Sequence, residues 1–109
     1  MEGEKMDQTQ TSWFVLHSPE LGNAFENFYQ LCNESGVLDR KTKDLLMVAL
    51  ASVFRLSNRT GEQIRNALDA GATKEEVTEV LLIAAAECAW AQLALVEKSY
   101  LKHSGPRSE

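Results

Sequence analysis

From Thr73 to His103 the chain carries neither glycine nor proline, so nothing in its local chemistry interrupts a helix there. Thr73-Lys-Glu-Glu76 fits a capping box, and Val77, Val80, Leu81 and Ala84 follow on one face. One helix of about 30 residues is therefore allowed, long for a small domain where the mean is nearer 11–12. A chain that spends so much of its length this way has little left for a sheet. No stretch shows the period-2 alternation bounded by turn residues that a strand needs. The fold class expected is all-α.

The upstream segments read the same way. Ser18-Pro19-Glu20 supplies a hydroxyl at the N-cap, a proline at the first helical position and a carboxylate at the positive dipole end. Leu21, Phe25, Phe28 and Cys32 follow at helical spacing, and Gly36 offers a left-handed cap. Trp13, Phe14 and Leu16 should pack back onto this helix. A second helix starts with Asp39 as N-cap and runs to about Phe54. It is apolar on more than one face, which marks it as central. Thr60-Gly-Glu-Gln63 fits another capping box, although that helix start can equally lie at Ser57, and Gly71 ends it. Residues 1–12 and 104–109 are expected to be disordered tails around one helical domain, 13–103.

At 109 residues the chain fits one domain. Its 11 Lys plus Arg against 16 Asp plus Glu leave a net charge of -5. That balance argues against nucleic acid and against an anionic membrane surface as partners. The apolar stretch Val80 to Val96 is slightly short for a membrane span and carries Glu87 near its middle. The first twelve residues have no apolar signal core. A soluble, cytoplasmic protein is expected. Cys32 and Cys88 form no CxxC and read as reduced, buried thiols. No metal-ligand spacing occurs, and no cofactor is expected.

Three segments carry a resemblance: Leu38-Asp-Arg-Lys-Thr-Lys-Asp-Leu-Leu46, Ala67-Leu-Asp-Ala-Gly-Ala-Thr-Lys-Glu-Glu-Val77 and Val80-Leu-Leu-Ile-Ala84. Together they resemble the carboxymuconolactone decarboxylase family, which includes the alkylhydroperoxidase D (AhpD-like) proteins. The resemblance spans roughly residues 20 to 102. It implies an orthogonal array of about five helices, assembled as a homotrimer or homohexamer. The family usually breaks its chain with Gly and Pro after the AlaGlyAlaThr helix. Here those places hold Ala89 and Ala91, and by analogy a break is expected near Cys88 to Trp90.

The same resemblance locates a site. The peroxidase branch places CxxCxxxH at the start of the helix leading to AlaGlyAlaThr, with an acid one helix earlier. Those places hold Leu56 and Arg59 for the thiols, Gln63 for the His and Asp44 for the acid. A thiol peroxidase needs a thiolate nucleophile, a resolving thiol and a base. Leu56, Arg59 and Gln63 provide none of them, so a degenerate, non-redox site is expected. The decarboxylase branch lacks the thiols but uses the same His, and a lactone carboxylate would draw on Arg55 and Arg59.

Asp44 and Glu87 are the candidate catalytic carboxylates. Asp44 also suits an early helical turn irrespective of chemistry, and Glu87 is either buried with a partner or turned to water. His17 and His103 lie outside the packed body, and Trp90, Tyr29 and the Phe residues read as core. The expectation is an oligomer with a small-molecule pocket at Leu56, Arg59, Gln63 and Arg55. The alternatives are a lyase acting on a small carboxylated lactone, or a purely structural assembly. Self-association also follows from size, because about 90 ordered residues bury only around 60–65% of their unfolded surface.

Overall fold

The computed structural model describes residues 12–106. The expected tails fall outside the described residues, apart from Ser12 before the first helix and 104–106 at the end of the last. Five helices are described: α1 (Trp13–His17), α2 (Pro19–Glu34), α3 (Arg40–Val53), α4 (Ser57–Asp69) and α5 (Lys74–Ser104). Among the described residues there is no strand. The chain is all-α. The helices form two compact units, one through Leu38 and one from Asp39.

In the first unit Pro19 opens α2 as expected. The Ser18 hydroxyl makes no capping bond there; its carbonyl accepts from Gly22 N at 2.7 Å. Gly36 takes φ 102° just past the helix end, a backbone region where a Cβ is costly. The Phe14 ring stands edge-on to Phe25 at 5.5 Å, and Phe25 stacks on Tyr29 at 6.2 Å. The Ser12 hydroxyl donates to the Glu26 carboxylate.

In the second unit Asp39 Oδ1 accepts from Thr42 N at 2.8 Å, starting α3 where the sequence places it. Here α3 packs against both α4 and α5. Val48, Ala67, Ala72 and Val77 form the core, with Leu45, Ile64, Val80 and Leu81 packed around them. Two turns of one kind end α3 and α4. Leu56 N donates to Ala51 O and Arg55 N to Ser52 O; Ala72 N donates to Ala67 O and Gly71 N to Leu68 O. Each is a Schellman motif, which needs a left-handed residue just past the helix. Gly71 fills that place at φ 102° and Arg55 at φ 61°. The arginine carries a strain of about 1 kcal/mol that glycine escapes.

The turn at Arg55 also settles the start of α4. The helix begins at Ser57, and the Thr60 hydroxyl donates back to Leu56 O at 2.8 Å. The capping box at Thr60 does not form, because Thr60 already lies inside the helix. At α5 the capping box does form: Thr73 Oγ1 accepts from Glu76 N at 3.0 Å, and Glu76 Oε1 accepts from Thr73 N at 2.9 Å. Lys41 Nζ reaches the same carboxylate at 3.0 Å.

These bonds hold two carboxyls below their ordinary values. Glu76 lies below 4.5, first through the Thr73 N–H and then through Lys41. Asp39 lies below 3.8 through hydrogen bonds from Thr42. A carboxyl with a lower pKa folded than unfolded adds stability above the unfolded value and loses it as pH falls through the folded one. The melting temperature should therefore hold from about pH 7 to about pH 5 and drop below about 4.5. Melting curves of Glu76→Gln should show a flatter acid limb, because the amide keeps the cap geometry and has no proton to gain. An acid limb as steep as that of the wild type would refute the assignment.

The break expected near Cys88 to Trp90 is absent, and α5 is continuous over 31 residues. Alanines stand where the resemblance expects helix breakers, and local chemistry prevails. By length and composition alone this helix also suffices to cross a membrane, with mean hydropathy 1.7 over 18 residues. Other burial expectations are reversed. Cys32 and Cys88 are exposed and form no disulfide. Trp90 is 69% exposed, and Tyr29, Phe25 and Phe28 are exposed as well. Buried apolar residues are few, and Val48 is the one large side chain sealed from solvent among the described residues.

Candidate functional site

The start of α4 follows directly from the Schellman turn before it. Leu56 is its N-cap, Arg59 lies in its first turn and Gln63 one turn on, facing inward at 5% exposure. With its amide oxygen turned toward Arg59, Gln63 accepts from Nε at 3.2 Å and from Nη2 at 3.0 Å. The guanidinium donors are fixed, so they set the orientation of an amide whose two ends otherwise look alike. The other end of that amide lies 3.4 Å from the Asn66 side chain. Arg59 Nη1 also lies 3.6 Å from Glu62. Arg55 is exposed at the turn.

Asp44 sits in the second turn of α3 at 4% exposure. Its ion pair is with Arg40, four residues back, at 3.6 Å. Arg40, Asp44, Asn66, Asp69 and Ala70 line an open polar cleft of about 410 Å³ between α3 and α4. Asn66 is thus common to both groups: it lines the Asp44 cleft and touches the amide of Gln63. The structure joins Arg59 to Gln63 and Asp44 to Arg40. Sequence reasoning missed Arg40 and Asn66, although the Arg40–Asp44 spacing of four was a readable helix pair.

Glu87 stands elsewhere. It is exposed on α5, on the wall of an apolar groove between α3 and α5 that also includes Thr42 and Cys88. His17 ends α1, and the ring of His103 lies 2.9 Å from Ser99 O on the last turn of α5. Cys32 belongs to α2 in the first unit, so neither thiol stands at the start of α4. Among the described residues, no three His, Cys, Asp or Glu are grouped to hold a metal ion.

This geometry offers a buried carboxylate, a half-exposed guanidinium and amides beside a cleft open to water. Such a set can hold a small polar molecule by hydrogen bonds and charge. It provides no nucleophilic side chain at the start of α4. In comparisons with known proteins, no curated protein matches the chain. The model of the carboxymuconolactone decarboxylase family matches residues 19–97, from the first residue of α2 well into α5. The chain belongs to the carboxymuconolactone decarboxylase family.

Proposed function

We propose that this protein is a non-redox member of its family that binds a small polar molecule at the α3–α4 cleft, with Asp44 and Arg40 as its charged contacts. The observation that carries this reading is the Arg59–Gln63 pair, made where the resemblance puts a resolving thiol and a base. A guanidinium bound to an amide cannot be oxidised by a peroxide, and neither group exchanges protons near neutral pH. Leu56, at the other thiol place, is apolar. The pair locks the first turns of α4 and leaves the neighbouring Asp44–Arg40 cleft open. Bidentate Arg contacts suit a ligand carboxylate, and the buried Asp44 suits a ligand hydroxyl or amine.

A lyase acting on a small carboxylated lactone is the second reading, and Arg40 supports it. Its half-exposed guanidinium is placed to hold a substrate carboxylate beside Asp44. Both readings exclude thiol chemistry. In a peroxide-consumption assay with a dithiol reductant, the protein should add nothing to the protein-free rate. Turnover abolished by Cys32→Ser or Cys88→Ser would overturn the proposal. In a thermal-shift screen of small hydroxy and carboxy acids, including carboxylated lactones, at least one compound should raise the melting temperature. Asp44→Asn should remove that shift, and a shift that survives it places the site elsewhere. Release of carbon dioxide from a bound lactone would select the second reading.

A further inference from the structure

Within the second unit α5 outruns the helices it packs on. At a rise of about 1.5 Å per residue it is roughly 46 Å long, against roughly 21 Å for α3. No residue of α5 beyond Ala84 is buried or half-buried. This overhang is not polar: Trp90, Leu93, Leu95, Tyr100 and Leu101 are 62–80% exposed. Beside its first half runs the α3–α5 groove, about 610 Å³, walled by Leu46, Leu50, Val53, Ile83, Ala84 and Ala91. Groove and overhang together expose roughly 1,000 Å² of apolar side chain, above the about 800 Å² per partner of a standard interface. A monomer does not ordinarily leave so much apolar surface in water.

The occupant is written on the same helix. The groove ends at Ala91, where the overhang begins. Two α5 helices laid antiparallel about their midpoints would place each overhang along the groove of the other, and such a reciprocal contact closes on itself. Charge fixes the direction. Glu75 and Glu79 stand as far before the Cys88–Ala89 peptide as Lys102 and Lys98 stand after it. Antiparallel pairing sets the acidic end of each helix beside the basic end of the other, with the helix dipoles opposed. At the crossing lie Ala85, Ala86, Ala89 and Ala91, too small to hold two helices apart.

We infer that two copies of this chain associate through antiparallel α5 helices, with the two-fold axis near Cys88–Ala89 and each overhang seated in the other copy's α3–α5 groove. This contact does not depend on the ligand reading. Light scattering at micromolar concentration should give a dimer or an even multiple of it, a hexamer included. A monomer or a trimer would overturn the inference. Lys98→Glu with Lys102→Glu should weaken association at least tenfold, and adding Glu75→Lys with Glu79→Lys should restore it. A double variant that associates normally, or a quadruple variant that is not rescued, overturns the antiparallel register. Leu95 is 80% exposed in the single chain, so Leu95→Glu should keep its helical circular dichroism yet lose mass. An unchanged mass counts against the contact. Monomers that float with neutral phosphatidylcholine vesicles would mean that lipid, and not a second copy, covers α5.

Discussion

Replacing Val48 with Asn should unfold the second unit under conditions where the wild type is fully folded. Val48 has 0% exposure and is the bulkiest residue at the centre of a core otherwise made by Ala67, Ala72 and Val77. Removing its two methyls forfeits roughly 1.5–2 kcal/mol of burial. The amide that replaces them meets only apolar side chains, which adds about 1–3 kcal/mol for polar groups left without partners. The sum approaches the whole stability of a unit this size, at roughly 0.05–0.15 kcal/mol per residue. Val48→Ala should cost only about 2 kcal/mol and stay folded. Urea titrations followed by circular dichroism separate the two. A Val48→Asn protein with a wild-type midpoint would show that the core lies elsewhere.

How much of this was readable beforehand depends on how far each signal reaches along the chain. Asp39 and Thr73 start their helices as the sequence indicates, because a cap needs only the next three residues. Thr60 carries an equally good local pattern and fails. The preceding Schellman turn places Arg55 in the left-handed region and starts α4 at Ser57 before Thr60 can act. Nothing in the sequence marks an arginine for a conformation that glycine usually takes. The break expected in α5 came from analogy, against a local pattern that read continuous helix, and the local pattern was right.

Burial was the least legible property. Periodicity says which side chains share a face, and not whether another helix covers that face. Trp90 and Phe28 sit at regular helical positions and remain exposed. At the candidate site, Gln63 and Asp44 were found from motif places alone, and both are buried. Their partners were less visible. Arg59 and Gln63 share one helix face four residues apart, a spacing the sequence displays. Asn66 contributes through the α3–α4 packing, which a linear pattern does not encode.

Gly22→Ala should detach α1 from α2. On helix propensity alone the change is favourable by up to about 1 kcal/mol, since glycine is a poor helix former. The structure reverses that sign. A Cβ on Gly22 would stand 2.6 Å from Val15 Cα, 2.8 Å from Val15 N and 2.9 Å from Phe14 O. All three are backbone atoms, so no rotamer change relieves the contact and α1 itself must move. The overlap costs about 1–3 kcal/mol, and the shift also pulls Phe14 off the edge of Phe25. A five-residue helix has no internal reserve against this, because one and a half turns are unstable alone. Hydrogen exchange read by mass spectrometry should show the α1 amides losing protection in Gly22→Ala, while those of α3 and α4, in the other compact unit, keep theirs. Unchanged exchange in α1 would mean that the close approach of the two helices does not hold them together. A loss that spreads into α3 and α4 would mean that the two units fold as one, and the effect would then appear as a single lowered melting transition.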